Sequence, residues 1–135
     1  MNIAIVTGSS SGMGREFVLQ LPAYVQVDEI WVIARREDRL IELKAQCRTP
    51  IRPVPLDLLD GASFGIYRTL LEESKPEIEF LVNAAGFGLF GTFSEMDLDK
   101  QLDIVSLNAN ALTAFCHISI PYMPQGSHII NLASN

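Results

Sequence analysis

A serine- and glycine-rich turn near the amino terminus is the first stretch of this sequence that could do chemistry. Residues 7–14 read TGSSSGMG and directly follow the short apolar run Asn2–Val6. In a strand-to-helix turn, Gly8 can supply a positive φ, Gly12 lets a pyrophosphate approach the backbone, and Gly14 lets the helix pack closely on the strand. The N–H groups at the start of such a helix suit a phosphate. A serine-rich helix N-cap is the plainer alternative.

Two arginines stand where a dinucleotide-binding sheet discriminates between its cofactors. About twenty residues beyond the glycine turn, an acid would bind the ribose of NAD, whereas a basic group would accommodate the extra phosphate of NADP. The sequence has Arg35 and Arg36 at this point and no acid at the turn. Because the planar guanidinium of arginine suits a 2′-phosphate, the pattern favours NADP over NAD. The alternative is that both arginines simply begin a solvated helix.

These residues need a scaffold that brings the ends of several strands together. Apolar runs alternate with amphipathic stretches along the chain, which predicts a parallel sheet with helices on both faces. In the helix predicted over 38–46, we expect Leu40, Ile41 and Leu43 to face the core. The predicted strands are 2–6, 29–33, 52–56, 78–82 and 128–132, and the predicted helices are 13–21, 38–46, 62–74 and 98–123.

Two prolines indicate where the third strand lies. Pro53 and Pro55 are two residues apart, so their missing N–H groups fall on the same side of the strand, which cannot join a hydrogen-bond ladder there. The strand must therefore be an edge, as the doubly wound order 3-2-1-4-5 requires. The predicted fold class is α/β, a doubly wound, Rossmann-like parallel sheet in a single domain over 1–135 that ends after the fifth strand.

Composition and charge narrow the classes of partner. A net charge of −6 without a basic face argues against nucleic acid. Cys47 and Cys116 are expected to be reduced thiols of a cytoplasmic protein, and no metal site is expected, because the adjacent Cys116 and His117 point to different faces of a helix. No membrane span is expected either, because the longest apolar run, about 102–123, is interrupted by Asp103, Asn108, Asn110, His117 and Pro121.

Three motifs together resemble the short-chain dehydrogenase/reductase family. They are the TGSSSGMG turn, Asp57 after the third strand, and Asn83-Ala84-Ala85-Gly86 after the fourth. The resemblance implies that the Asp57 carboxylate binds the adenine amino group, that Leu58 caps the adenine, and that residues 83–86 support the sheet and line the cofactor. The expected cofactor-binding residues are Gly8, Ser10, Ser11, Gly12, Met13, Gly14, Arg35, Arg36, Asp57, Leu58, Asn83, Ala84, Ala85 and Gly86.

The resemblance also bears on the choice of cofactor and on the catalytic residues. Arg35 matches the position that marks NADP-preferring members, although Ser11 stands where some of these members carry a basic residue. Asn108 matches the family asparagine, which holds a water and a local helix distortion, and Ser134 matches the serine that binds the substrate carbonyl. For Asn108, the alternative is a core asparagine bonded to a backbone carbonyl.

The catalytic Tyr-x-x-x-Lys pair that the resemblance requires is not in the sequence. Asp28, Leu71 and Gly126 stand four residues after Tyr24, Tyr67 and Tyr122. In the family, the lysine lowers the pKa of the tyrosine, which then exchanges a proton with the substrate oxygen. We therefore expect the chain to be the N-terminal, cofactor-binding part of such an enzyme, ending between the serine and the tyrosine, and to be inactive alone.

Three hypotheses follow from this reading. The first is an NADP(H)-dependent oxidoreductase that moves a hydride between nicotinamide and a carbonyl or alcohol. The second is an NADP(H)-binding module without chemistry, and the third is an interaction protein that assembles through its long apolar helix. Because the apolar strand at 128–132 is expected to be an unprotected edge, we also predict a homo-oligomer, sensitive to Ile130→Lys. The GFGLFG stretch at 86–91 is either a wall of the nicotinamide pocket or a plain loop.

Overall fold

A computed structural model describes residues 1–132 of the chain. Five parallel strands form one sheet in the order β3-β2-β1-β4-β5, which confirms the predicted fold class. The strands are β1 (Asn2–Thr7), β2 (Glu29–Ala34), β3 (Ile51–Pro55), β4 (Glu77–Asn83) and β5 (His128–Asn131). The helices are α1 (Gly12–Gln20), α2 (Glu37–Gln46), α3 (Ala62–Ser74), α4 (Leu98–Val105) and α5 (Ala111–Ser119).

The edge position of β3 follows from its prolines. β3 pairs only with β2 within residues 1–132, with Pro53 opposite Val32 and Pro55 opposite Ala34. Neither proline has an N–H to offer a further strand, so pairing can continue only from the β2 side. From β3, the sheet therefore continues through β2, β1 and β4 to β5. The carboxyl ends of β1, β2, β3 and β4 meet along one side of this sheet.

Side chains of the central strands alternate between two cores. In β1, Ile3 and Ile5 face the layer of α3 and α5, where the rings of Tyr67 and Phe115 stack with their centroids 4.2 Å apart. Ala4 and Val6 face the opposite layer, with Val18 of α1 and the leucines of α2. Because both faces of the central strands are covered, β1 and β2 are continuous apolar runs rather than alternating ones.

One inward-facing residue was predicted wrongly. Leu40 and Leu43 are buried, but Ile41 is 52% exposed. One helical position turns a side chain by about 100°, so Ile41 lies at the margin of the stripe that Leu40 and Leu43 define, and solvent reaches it.

The predicted long helix is interrupted at its centre. α4 and α5 are joined by a π-helical turn, Ser106–Asn110, and a 3₁₀ turn, Ile120–Tyr122, ends the stretch. By length and composition, the stretch Leu98–Tyr122 is long and apolar enough to cross a membrane: an 18-residue window within it has a mean hydropathy of 1.2, and 22% of that window is buried. A single helix of this kind is weak evidence, since core helices of soluble proteins pass the same test. That the chain does not enter a membrane stays a prediction.

Candidate functional site

A cavity of about 670 Å³ opens where the carboxyl ends of the first four strands meet. It brings together twelve of the residues predicted from the sequence: Gly8, Ser10, Ser11, Gly12, Met13, Gly14, Arg35, Asp57, Leu58, Ala84, Ala85 and Gly86. Arg36, Asn83 and Asn108 do not line it. Ser134 lies outside the described residues.

The three glycines of the turn have different surroundings. Gly8 has φ +65°, and a Cβ there would lie 2.6 Å from the Ala85 nitrogen. A Cβ on Gly14 would overlap the Gly8 carbonyl oxygen, which fixes the close approach of α1 to β1. Gly12 has φ +57°, and the space in front of it is open for 4 Å. The turn thus needs Gly8 and Gly14 for packing, and it leaves free volume at Gly12.

The first turn of α1 presents donors to that free volume. Ser11 occupies the N-cap position, but its side chain makes no capping hydrogen bond. The N–H groups of Gly12, Met13 and Gly14 have no acceptor within residues 1–132. Unpartnered N–H groups at the positive end of a helix bind anions, so a pyrophosphate fits this turn.

A threonine that the sequence reasoning passed over holds the two halves of the site together. The Thr7 hydroxyl oxygen accepts hydrogen bonds from Ala84 N and Ala85 N, at 3.2 Å each. The Thr7 side chain is buried, so no water competes for these bonds. Its place at the end of β1, just before the glycine turn, is the signal that could have identified it.

Asn83 lies behind the cavity rather than in its wall. Its side-chain nitrogen donates to Asn131 Oδ1 at 2.9 Å and lies 3.4 Å from Cys116 Sγ. These contacts join β4 to β5 and α5. The structure therefore gives Asn83 a place that supports the sheet, outside the wall of the cavity.

The end of β3 offers one free carboxylate oxygen to the cavity. Asp57 Oδ1 accepts a hydrogen bond from Leu59 N at 3.0 Å, and the Asp57 carbonyl accepts one from the Ser63 hydroxyl at 2.6 Å. Asp57 Oδ2 has no partner among the described residues. The neighbouring Leu58 is 6% exposed and belongs to the core under α3, so it presents only a small apolar surface to a ligand.

The two neighbouring arginines have different surroundings. Arg36 Nη2 lies 3.1 Å from Asp38 Oδ2, and the contact lowers the pKa of the Asp38 carboxyl and raises the pKa of Arg36. Both groups are exposed, so this ion pair contributes little to stability. Arg35 lines the cavity and makes no ion pair within the described part of the chain. Of the two arginines, Arg35 is thus the one that lines the cavity and has no acid partner among the described residues.

Asn108 binds the loop that leaves β4. Its Oδ1 accepts from Phe87 N at 3.0 Å, and its Nδ2 donates to Phe87 O at 2.8 Å. A Cβ on Gly86 would overlap Asn108 Oδ1, so the pair requires glycine there. Asn108 itself lies in the π-helical turn. The side chain holds backbone groups, and the helix is distorted at the same position.

Several residues of the cavity wall were not predicted. α4 contributes Lys100 and Asp103, and Leu107 follows in the π-helical turn. Local sequence patterns could not identify these three residues, because their approach to the cavity depends on how α4 folds back over the ends of the strands. Phe87 and Leu89 of the loop after β4 also line the cavity, in agreement with one of the two alternatives given for residues 86–91.

None of the three tyrosines lines the cavity. Tyr67 is fully buried and shares a 2.7 Å hydrogen bond with the Ser119 hydroxyl. Tyr24 is 83% exposed beside α1, and Tyr122 packs against the core under α3 and α5. Among residues 1–132, no three His, Cys, Asp or Glu side chains are grouped as metal ligands.

Comparison with known proteins identifies the family. A short chain dehydrogenase family model matches residues 2–135. An uncharacterized oxidoreductase of Staphylococcus epidermidis is 28% identical, covering 98% of this chain and 57% of its own length. An NADP-dependent 3-hydroxy acid dehydrogenase of Schizosaccharomyces pombe is 29% identical, covering 96% of this chain and 52% of its own length.

Solved structures share the fold. A short-chain dehydrogenase/reductase double mutant from Serratia marcescens superposes with TM-score 0.83 at 20% identity, covering 95% of this chain and 53% of its own. A short-chain dehydrogenase from Sphingobium yanoikuyae in complex with NADPH gives TM-score 0.76 at 23% identity, covering 90% and 48%. The chain spans about half the length of the curated relatives it matches. From the family match over residues 2–135, the chain belongs to the short-chain dehydrogenase family.

Proposed function

We propose that this chain binds NADP(H) in the cavity and serves an oxidoreductase that transfers a hydride between the nicotinamide and a carbonyl or alcohol substrate. The observation that carries the choice of cofactor is the free guanidinium of Arg35 at the end of β2. NAD binding at this position would use an acid, but the residues at the end of β2 are arginines, and Asp38 of α2 is paired with Arg36.

Each part of the cavity has a role in this proposal. The N–H groups of Gly12, Met13 and Gly14 would hold the pyrophosphate, with Gly12 leaving room for it. The free Asp57 Oδ2 would accept a hydrogen bond from the adenine amino group. Arg35 would pair with the 2′-phosphate through its planar fork. The bound nicotinamide would supply or accept the hydride.

A curated relative supports the same cofactor. The Schizosaccharomyces pombe protein, 29% identical, is named as NADP-dependent. That name describes the relative. For this chain, we expect that the basic end of β2 recognises the same phosphate.

Dissociation constants for NADPH and NADH, measured by calorimetry, test this proposal. We expect tighter binding of NADPH, and we expect Arg35→Ala to weaken NADPH binding about 10- to 100-fold, because a charge-assisted bond contributes roughly 1.5–3 kcal/mol. Binding of NADH should hardly change. Arg36→Ala is the matched control, since it removes the same charge one residue away. Equal affinities for the two cofactors, or equal losses in the two variants, would contradict the proposal.

We further propose that the chain self-associates through α4. No residue of α4 is buried, and Leu98, Leu102 and Val105 are 64%, 54% and 54% exposed. Their spacing of four and three residues puts them on one face of the helix. β5 adds to the exposed apolar surface, since it pairs only with β4 in the described residues and its Ile129 is 38% exposed.

A further inference from the structure

The loop between β4 and α4 contains a short segment that makes no hydrogen bond to the rest of the described residues. Within residues 1–132, no hydrogen bond joins Gly88–Gly91 to another part of the chain. Both flanks of the segment are fixed. On one side, Asn108 binds both backbone groups of Phe87. On the other, Gln101 Nε2 donates to Phe93 O at 2.9 Å and to Met96 O at 3.0 Å. Such a segment can move at low free-energy cost while its ends stay in place.

Glycines at both ends of the segment allow this movement. A Cβ on Gly88 would meet no atom within 4 Å, so the space around it is open. Gly91 has φ +155°, a value that side chains disfavour. The two residues between them are large and apolar.

The exposed aromatic ring of the segment belongs to the residue that follows a cavity-lining leucine. Leu89 lines the cavity, and the following residue, Phe90, is fully exposed. An exposed phenyl ring gains free energy when it is covered, and a nearby flat ring is a favourable partner for it.

The sheet order indicates which end of the cofactor would meet this ring. In the proposed function, Arg35 and Asp57 hold the adenosine half at the ends of β2 and β3. The glycine turn at the end of β1 holds the pyrophosphate. In the order β3-β2-β1-β4, the other half of the molecule continues towards β4, where the segment begins.

We propose that Gly88–Gly91 closes over the bound cofactor and places the Phe90 ring against its nicotinamide half. This inference rests on the proposed function, because it requires NADP(H) in the cavity. Phe90 would be a ligand-contact residue delivered by a closing segment and anchored through Phe87 and Phe93.

Two ligands separate the two halves of the cofactor. NADPH contains the nicotinamide, whereas 2′,5′-ADP carries only the adenosine end. Dissociation constants for both would be measured with the chain and with Phe90→Ala. We expect Phe90→Ala to weaken NADPH binding about 5- to 30-fold, from the loss of an apolar contact, and to leave 2′,5′-ADP binding unchanged. Phe93→Ala, which removes another exposed phenyl ring outside the segment, should change neither.

Limited proteolysis gives a second measurement that needs no variant. Chymotrypsin should cut the free chain after Leu89 or Phe90, and NADPH should slow that cleavage, whereas 2′,5′-ADP should not. The proposal of a closing segment would be overturned if Phe90→Ala left the NADPH affinity unchanged, or if it weakened the binding of NADPH and 2′,5′-ADP equally. It would also be overturned if both ligands protected the chain equally from chymotrypsin, or if Phe90→Ala affected only self-association. If the unsubstituted chain bound neither ligand, the proposed function itself would fail, and this outcome is distinct from the others.

Discussion

Adjacent residues of one type can have different surroundings, and Arg35 and Arg36 show this. By charge and position in the sequence, both arginines qualify for a phosphate, and only the family resemblance distinguishes Arg35 from Arg36. In the fold, Arg35 directly follows the buried strand β2 and lines the cavity, whereas Arg36 is the N-cap of α2 and pairs with Asp38. The position of the site was predictable from the strand-turn-helix pattern. The pairing of Arg36 with Asp38 was not predictable, because it depends on where α2 begins.

Gly12 gives a sharp test of the phosphate cradle. Gly12→Ala would put a methyl group into the open space at φ +57°, so we expect at least tenfold weaker NADPH binding and a loss of stability of about 1 kcal/mol. Gly65→Ala is the matched control, because Gly65 also has open space but lies in α3 without a positive φ. That substitution should leave binding intact and stabilise the chain by about 0.5–1 kcal/mol. Unchanged NADPH affinity in Gly12→Ala would show that the phosphate does not bind at this turn.

At the scale of elements, the strands were more predictable than the interior of the long helix. Buried apolar runs indicate where the strands lie. The two prolines of β3 indicate its edge position in the sheet, because the missing N–H of proline can be recognised from the sequence alone. The apolar pattern did not predict the π-helical turn at Ser106–Asn110, because one extra residue in a turn barely alters that pattern. The family resemblance did point to a local helix distortion at Asn108, and the π-helical turn lies there.

The contact between α3 and α5 has a pH dependence of its own. Burial raises the pKa of Tyr67 well above its ordinary value of 10.0, and the hydrogen bond with Ser119 offsets part of that rise. Near pH 8, we expect Tyr67→Phe to lower the free energy of unfolding by about 1–2 kcal/mol, because the buried Ser119 hydroxyl loses its partner.

Above pH 10 the difference between the two proteins should narrow. The unfolded tyrosine ionises there while the buried one stays neutral, so the unsubstituted chain loses stability that Tyr67→Phe cannot lose. Urea unfolding at several pH values measures this, with the exposed Tyr24→Phe as a control that should have no effect. A difference that did not vary with pH would argue against a buried neutral phenol.

For the molecule as a whole, the arrangement of the tyrosines bears on turnover. The family reaction needs a positioned acid for the substrate oxygen, a contribution of about 10²–10⁴-fold. None of the three tyrosines lines the cavity, and the buried one has a raised pKa. We therefore expect the 135-residue chain to bind NADPH without reducing aldehydes or ketones. Steady NADPH oxidation with a carbonyl panel, followed at 340 nm, would contradict this and would direct attention to Tyr122.

Self-association is the prediction that involves the whole surface. Leu98, Leu102 and Val105 form an apolar stripe on α4, and a second copy could cover it with the same stripe. In a two-fold symmetric contact, each substitution counts twice, so Leu102→Lys should weaken a dimer by roughly 2–4 kcal/mol, or about 30- to 1,000-fold. Leu102 is a cleaner probe than Ile130, which packs partly against the core under α1 and α2.

Sedimentation over a concentration series measures the effect. Asp99→Asn is the control, because it changes the net charge by the same +1 on the neighbouring face of α4. We expect Leu102→Lys alone to shift the chain towards monomer, with circular dichroism unchanged. If the unsubstituted chain were a monomer at every concentration, the stripe on α4 would not be a self-association surface. If both variants dissociated equally, net charge would be responsible rather than apolar contact.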